Sequence, residues 1–246
     1  MWIGKTISCD CCAPGKSPRY LWGQSGLKLR KSPMLIVKSF CFNPFSENTY
    51  IVQAPDGTCA ILDPGCYQTG ERSELESYIR THGLTPVLFL NTHCHLDHIF
   101  GNNFVHQTWS LPLHMHPNEQ PVLDYASVAG TMYQVSCENY VGTTHYLQEG
   151  DRWQLGDEEV ICLFTPGHSP GSLSFYAPQS GWVISGDVLF QGSVGRTDLP
   201  GGNMEQLMQS IREQLYVLPD DTIVYSGHGP ATTIGAEKKN NPFVRG

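Results

Sequence analysis

Three imidazoles and one carboxylate lie within six consecutive residues, at His93, His95, Asp97 and His98. Histidine nitrogens and carboxylate oxygens are the ligands that catalytic zinc sites use. The segment overlaps the end of a short apolar run, residues 87–93, which predicts a buried strand followed by a loop that carries these side chains. The chain holds ten histidines, so three within six residues indicate a metal site rather than a chance run of surface histidines.

Three further positions repeat one pattern, in which an apolar run is followed by small residues and then by a single histidine or aspartate. They are His168 after residues 160–164, Asp187 after residues 181–184, and His228 after residues 222–225. Polar residues at the ends of several strands gather along one edge of a fold, and the adjoining glycines let the backbone come close. Each position alone is a weak signal, but together with the first segment they predict one common site.

The elements that must position these residues are rich in strands, with helices between them. Apolar and β-branched runs predict strands over residues 34–42, 48–54, 58–65, 87–93, 111–116, 145–148, 152–155, 158–167, 172–178, 181–190 and 221–229. Helical spacing predicts helices over residues 71–83, 99–109, 117–130 and 204–218. Two sheets packed face to face, with the helices outside, would bury these runs on both faces.

Residues 1–33 differ from the rest in composition. They hold six basic residues against one acidic residue and show no helix or strand period. We predict a disordered extension or a segment upstream of a natural start at Met34; a cysteine metal knot at Cys9, Cys11 and Cys12 is a weaker alternative. Residues 34–246 are predicted to form one catalytic domain, a length that can bury a sizeable core.

Composition narrows the class of partner. The formal net charge of −8 argues against nucleic-acid binding, which needs a basic surface. No stretch approaches the roughly 18–20 apolar residues of a membrane span, and the N-terminus has no apolar run of signal-peptide length, so we expect a cytoplasmic protein. Nine cysteines at irregular spacing make a poor disulfide framework. The expected partner is therefore a small molecule, without nucleic acid or membrane, and the oligomeric state is left open.

The motifs HxHxDH, TPGH, SGD and GHG together resemble those of the metallo-β-lactamase superfamily, and most of all its short bacterial glyoxalase II-like (hydroxyacylglutathione hydrolase-like) branch, from Met34 to the C-terminus. The resemblance implies an α+β fold, a four-layer αββα sandwich with two divalent metal ions at one edge of the sheets. It implies that His93, His95 and His168 hold the first ion. It also implies that Asp97, His98 and His228 hold the second, and that Asp187 bridges both. Zinc is the expected metal, with iron or manganese as alternatives.

The resemblance also implies a reaction. A metal-bridged hydroxide would attack the carbonyl of a thioester or ester of the S-2-hydroxyacylglutathione type, with Asp97 and Asp187 as the catalytic carboxylates. A mononuclear iron persulfide dioxygenase is the first alternative, since a related loop occurs there. A lactonase or other ester hydrolase of the same fold is the second, and a metal-dependent protein without catalysis is the third. Asp187 argues against a true β-lactamase, because the resemblance implies that those enzymes lack the bridging aspartate.

Arg196 and Asp198 stand where glutathione-handling relatives have a lysine and a tyrosine. We predict that they either form an ion pair that fixes the loop or bind substrate. Asp63 is predicted to hydrogen-bond the far nitrogen of a ligand histidine or to serve as a turn residue. Asn48 is predicted to begin a strand or turn; the alternatives are that it orients a ligand or stabilises a developing oxyanion. Cys94 should point away from the ions because side chains alternate along an extended segment. Tyr146, Trp153 and Trp182 are predicted core residues.

Overall fold

The computed structural model describes residues 34–245, and the extension predicted over residues 1–33 lies outside the described residues. Two six-stranded sheets dominate the described part of the chain. The strands of the first sheet follow chain order; β1 to β3 pair antiparallel, and β3 to β6 pair parallel. They are β1 (Ile36–Phe42), β2 (Glu47–Gln53), β3 (Thr58–Leu62), β4 (Thr85–Leu90), β5 (Leu113–Met115) and β6 (Thr144–Tyr146).

The second sheet has the order β14-β13-β10-β9-β8-β7. Its pairs are antiparallel except for β10 with β13, which run parallel and so end at the same edge. Its strands are β7 (Arg152–Leu155), β8 (Glu158–Phe164), β9 (Leu173–Ala177), β10 (Trp182–Gly186), β13 (Ile223–Ser226) and β14 (Thr232–Thr233). A short hairpin, β11 (Leu189–Phe190) and β12 (Ser193–Val194), follows β10.

Helices cover the outer faces of both sheets. The first sheet carries α1 (Thr69–Thr81), α2 (Leu96–Ile99), α3 (Asn102–Trp109), α4 (Gln120–Asp124) and α5 (Ala126–Tyr133). The second carries α6 (Met204–Ser210), which continues as a π-helical segment (Ile211–Leu215), and α7 (Ile234–Asn240). Within the described part, none of these helices combines the length and apolar character that crossing a membrane requires.

Alternation along the strands explains the layers. In β3, Ala60 and Leu62 pack into the core between the sheets, whereas Cys59 and Ile61 pack against the helices of the first sheet. Successive side chains of a strand point to opposite faces, so a strand that is apolar throughout must be covered on both sides. The predicted four-layer αββα sandwich is therefore confirmed, with one core between the sheets and one under each helical layer.

Three sequence predictions need correction. The helix predicted over residues 99–109 is broken near Gly101, whose N–H donates to the Pro64 carbonyl at 2.7 Å, and an added Cβ there would clash with Cys66. The stretch 117–130 forms a 3-10 turn and two short helices rather than one helix. Tyr146 lies on an edge strand and is 52% exposed, so its assignment to the core was wrong. Trp153 and Trp182 are buried, as predicted.

Candidate metal centre

The segment with four predicted ligands leaves the carboxyl end of β4 as an extended loop and then turns into helix α2. His93 and His95 lie on the extended part, and the backbone of His95 is still extended at φ −66°, ψ 154°. Asp97 and His98 lie in the first turn of α2. Because the backbone changes from extended to helical, the four side chains form two pairs. His93 and His95 face one position, and Asp97 and His98 face another.

The first pair meets His168, which follows β8 in the second sheet. The Nδ1 atom of His95 lies 2.8 Å from Nε2 of His168, and that Nε2 lies 3.2 Å from Nε2 of His93. Three ring nitrogens thus point at one another across the edge where the two sheets meet. Ligand atoms of one cation held at about 2.0–2.1 Å must approach one another in this way, so this triad can hold one metal ion.

The second pair meets His228, which follows β13. Oδ2 of Asp97 lies 3.0 Å from Nε2 of His228 and 3.8 Å from Nε2 of His98. This triad can hold a second cation. The backbone at Gly227 lies very close to Asp187, and an added Cβ at Gly227 would overlap with the carboxylate of Asp187. Only glycine therefore fits before His228.

Asp187 lies between the two triads. Its Oδ2 is 3.5 Å from Nε2 of His168 in the first triad and 3.5 Å from Nε2 of His228 in the second. Its Oδ1 is 3.5 Å from Nε2 of His98. All seven residues predicted as ligands are therefore brought together, and Asp187 has the position of a group shared by both triads.

The electrostatics of the centre favour cations. Burial lowers the pKa of His95 to about 3 and the pKa values of His93 and His168 below their usual range, so the first triad offers neutral imidazole lone pairs. Burial also acts to lower the pKa of His228, but hydrogen bonds with Asp187 and Asp97 outweigh it and raise that pKa to about 10. The second triad therefore attracts positive charge.

Two buried polar atoms of the centre have no hydrogen-bond partner within the described residues, namely Nε2 of His98 and Oδ1 of Asp187. Buried polar atoms are almost always paired, and exceptions call for a missing partner. A cation between these two atoms would supply that partner. The donor set of imidazoles and carboxylates, the clustering and the unpaired atoms all fit divalent metal ions of the zinc or iron type.

A ring of acceptors fixes the far nitrogens of the ligand imidazoles. Asp63 Oδ2 lies 3.1 Å from Nδ1 of His98, which confirms the predicted hydrogen bond. Nδ1 of His93 lies 3.1 Å from the Thr92 hydroxyl. The carbonyl oxygen of Ser46 is 3.2 Å from Nδ1 of His228. Such partners fix the tautomer and the orientation of each ring, so these imidazoles present Nε2 to the centre.

Nδ1 of His168 has a partner that sequence reasoning missed. It lies 2.7 Å from the backbone carbonyl of Arg196. The side chain of Arg196 instead forms two hydrogen bonds with Asp198, of 2.6 and 2.7 Å, which confirms the predicted ion pair and lowers the pKa of Asp198 to about 2. The substrate-binding role of these two residues stays a prediction.

Glu119 is the second residue that sequence reasoning missed. It is fully buried and accepts three hydrogen bonds. One comes from the backbone N–H of Cys94, between two ligands of the first segment, at 2.8 Å. The others come from the Ser169 hydroxyl and the Gly171 N–H, next to His168, both at 2.6 Å. One carboxylate thus ties the two loops of the first triad together, across 25 and 50 or more residues of sequence.

Asn48 and Cys94 act in the scaffold around the centre. Asn48 lies in strand β2, and its side-chain amide donates to the carbonyls of Ser226 and Gly229, at 2.9 and 2.8 Å, on either side of His228. It therefore orients the loop of a predicted ligand. Cys94 is buried, with its Sγ 3.3 Å from Sδ of Met115, so it points into the core as predicted.

A cleft of about 1050 Å³ opens above the centre. Five of the predicted ligands form its floor. One side is formed by α4, α5 and the turn before them, and the other by the hairpin β11–β12 and the loop after it. A substrate that fills the cleft would therefore lie directly over both triads.

An αββα sandwich with a triad of histidines and a triad of two histidines and one aspartate at one edge of its sheets defines a class of metal-dependent proteins. The chain belongs to the metallo-β-lactamase superfamily, because the model of that family matches residues 42–228. It is similar to the probable metallo-hydrolase YqgX of Bacillus subtilis, with 45% identity over 204 residues, covering 82% of this chain and 94% of the relative. It is also similar to the hydroxyacylglutathione hydrolase GloC of Haemophilus influenzae, with 34% identity, covering 81% of this chain and 93% of the relative.

Two solved structures share the fold closely. The BLEG-1 B3 metallo-β-lactamase matches with a TM-score of 0.79 and 36% identity, covering 86% of this chain and 100% of that chain. TTHA1623 in a di-iron-bound form matches with a TM-score of 0.75 and 36% identity, covering 85% of this chain and 100% of that chain. Together with the family match, these relatives identify a metallo-hydrolase of this superfamily.

Proposed function

We propose that this protein is a dinuclear metal hydrolase that cleaves a thioester or ester. The single observation that carries the proposal is the position of Asp187, 3.5 Å from a donor nitrogen of each triad. A carboxylate shared in this way would help to hold two divalent cations, one beside each triad, as in other two-metal sites. The names of the GloC and YqgX relatives support hydrolysis as the reaction class.

Two such ions, when bound, would make a shared water acidic enough to attack at neutral pH and would polarise the substrate carbonyl. The chain supplies the remaining parts. Asp187 fixes the position of the two triads relative to each other. Asp97 has 17% of its side chain exposed toward the cleft and has Oδ2 beside His228, so it can hold a proton that is released there. Pro117 and Phe190 line the cleft and present apolar surface near the floor.

The test compares His95→Ala and Asp187→Ala with the parent protein. We expect each variant to lose hydrolysis of thioesters, by at least about a thousandfold, and to retain about one metal ion or fewer per chain, since each removes a ligand from a two-metal site. Elemental analysis gives the metal content and its identity, and spectrophotometry gives the rate. His145→Ala serves as control, because His145 is an exposed histidine outside the cleft.

The substrate panel contains S-lactoylglutathione, a simple acyl thioester, an ester, a lactone and a β-lactam. Full activity in either ligand variant would refute the proposal. Exclusive turnover of the β-lactam would assign the activity named for BLEG-1 instead. Oxygen uptake with a persulfide, on a protein that holds one iron ion, would assign the dioxygenase alternative.

A further inference from the structure

The sides of the cleft are chemically unlike its floor. The side formed by α4 and α5 presents Val122, Tyr125, Ala129, Met132 and Tyr133 to the cleft. Met132 is 68% exposed and Tyr125 is 47% exposed. Soluble proteins rarely expose such large apolar side chains in one contiguous patch unless the patch binds something. We call these five residues the apolar wall.

Resting on the proposed function, we propose that the substrate carries a large uncharged hydrocarbon group that lies against the apolar wall while its carbonyl lies over the centre. The wall and five predicted metal ligands line one continuous cleft, so a single substrate can lie against the wall and reach the floor. The ring of Phe45, which also lines the cleft, packs against the wall, with its centroid 6.0 Å from that of Tyr133.

The charged residues that line the cleft favour a substrate with a hydrocarbon group over a substrate with a charged thiol carrier. Among the described residues that line the cleft, Arg196 is the only lysine or arginine. Its guanidinium is already engaged by both carboxylate oxygens of Asp198. A carrier such as glutathione has two carboxylates, and burying them requires charged partners or several hydrogen bonds. The wall offers apolar surface instead.

Size leads to the same conclusion. Sites for drug-sized ligands are about 300–1,000 Å³, and this cleft, of about 1050 Å³, lies at the upper end of that range. A lactoyl or acetyl group would leave most of the wall facing water. A chain of about eight or more carbons would cover it, and each buried methylene is worth about a fourfold gain in kcat/KM.

The experiment uses two series of thioesters with the full-length, metal-loaded protein. The first series lengthens the acyl group from two to twelve carbons on a constant small neutral thiol, and the second lengthens an alkyl thiol on a constant acetyl group. We expect kcat/KM to rise by about fourfold per methylene over several carbons in one series, which also shows which side of the carbonyl faces the wall. Equal values along both series, or a preference for S-lactoylglutathione over the long chains, would overturn the proposal.

Substitutions on α5 test whether the dependence of kcat/KM on chain length arises at the apolar wall. Ala129→Asp places a charge on the wall, and Val128→Asp places one on the adjacent exposed residue of α5 outside the lining. We expect Ala129→Asp to lower the ratio of long-chain to short-chain kcat/KM by at least tenfold, and Val128→Asp to keep it within twofold. Met132→Asp, at a highly exposed position, gives the same test where Ala129→Asp fails to fold. An unchanged ratio in the wall variants would refute the proposal. It would also do so if sedimentation showed that these substitutions instead separate two associated copies of the chain.

The two proposals fail separately. If no thioester or ester is cleaved, hydrolysis is refuted, and binding of uncleaved N-alkylacetamides by calorimetry still tests the wall. Affinity that rises with alkyl length in the parent and falls in Met132→Asp supports the wall as a hydrocarbon site. Affinity that is independent of length overturns it.

Discussion

The floor and the apolar wall of the same cleft are built on different principles. Among the predicted ligands, five of which form the floor, His93, His98 and His168 are buried, and each has its far nitrogen held by a named acceptor. On the wall, apolar side chains such as Met132 and Tyr125 stand partly in solvent. Directional hydrogen bonds fix positions, whereas apolar contact is not directional. The comparison indicates that the floor determines the chemistry and tolerates little change, and that the wall selects the substrate and tolerates more.

Among the residues that support the predicted ligands, the largest effect is expected for Glu119→Ala, which removes the carboxylate that joins the two loops of the first triad. Three donors would then be left buried without a partner, and each costs about 1–3 kcal/mol. We expect a loss of about 3–5 kcal/mol of unfolding free energy and about a hundredfold weaker metal binding, the upper end of the range for supporting partners of metal ligands. Denaturant titration measures the first quantity, and competition with a chelator measures the second.

The chain offers a matched control for Glu119. Glu158 is also buried and also accepts three hydrogen bonds, from Gln179 N, Ser180 N and the Ser180 hydroxyl, but these lie away from the centre. Glu158→Ala should reduce stability to a similar degree and leave metal affinity unchanged. If both variants weaken metal binding equally, Glu119 only stabilises the fold, and its proposed role in holding the two ligand loops together is wrong.

A smaller effect is expected for Asp63→Asn, which alters the hydrogen bonds that this carboxylate accepts from His98, Thr92 and Asn91 beneath the second triad. Asp63 Oδ2 accepts from His98 Nδ1 in the arrangement that leaves Nε2 free for the metal. An asparagine amide can face Nδ1 as a donor, which would move the proton to Nε2 and block that atom. Backbone strain would not explain a loss of metal binding in this variant. Asp63 has a φ of +46°, and asparagine readily adopts this left-handed region.

We expect Asp63→Asn to weaken metal binding or activity by about 10–100-fold, as other changes of such partners do. Chelator competition and steady-state rates measure these effects. Asp56→Asn is the control, since Asp56 is an exposed turn residue that bonds only within its own turn. Loss confined to protein stability, with normal metal affinity, would contradict the proposed role in setting the tautomer.

The floor was predictable from sequence and its supports were only partly so, for a physical reason. His93 to His98 form a local motif, and the later ligands follow apolar runs, so residue type and order identify them. Glu119 binds the backbone beside the predicted ligands, at Cys94, 25 residues away, and the carbonyl of Arg196 binds His168, 28 residues away. A backbone carbonyl carries no signal in residue type, and a glutamate beside a helix start is common in any sequence.

The layers of the fold were predictable because apolar strands covered on both faces require two sheets and outer helices. The helix breaks were not. At Gly101 the break depends on a hydrogen bond to Pro64, a residue on a different segment of the chain. Local periodicity cannot report a contact between distant segments, and the same holds for the edge position of Tyr146.

The smallest effect is expected for Arg196→Ala, on the side of the cleft formed by the loop after the β11–β12 hairpin. The contact to His168 uses the backbone carbonyl of Arg196 and persists in the variant. The lost ion pair joins side chains that are 57% and 68% exposed, and exposed ion pairs contribute little. We expect kcat/KM for an uncharged long-chain thioester to stay within about twofold, as in Arg152→Ala, which removes a similar exposed pair elsewhere. A rise in KM of tenfold or more, confined to anionic substrates such as S-lactoylglutathione, would instead show that Arg196 binds substrate and would weaken the case for a hydrocarbon group.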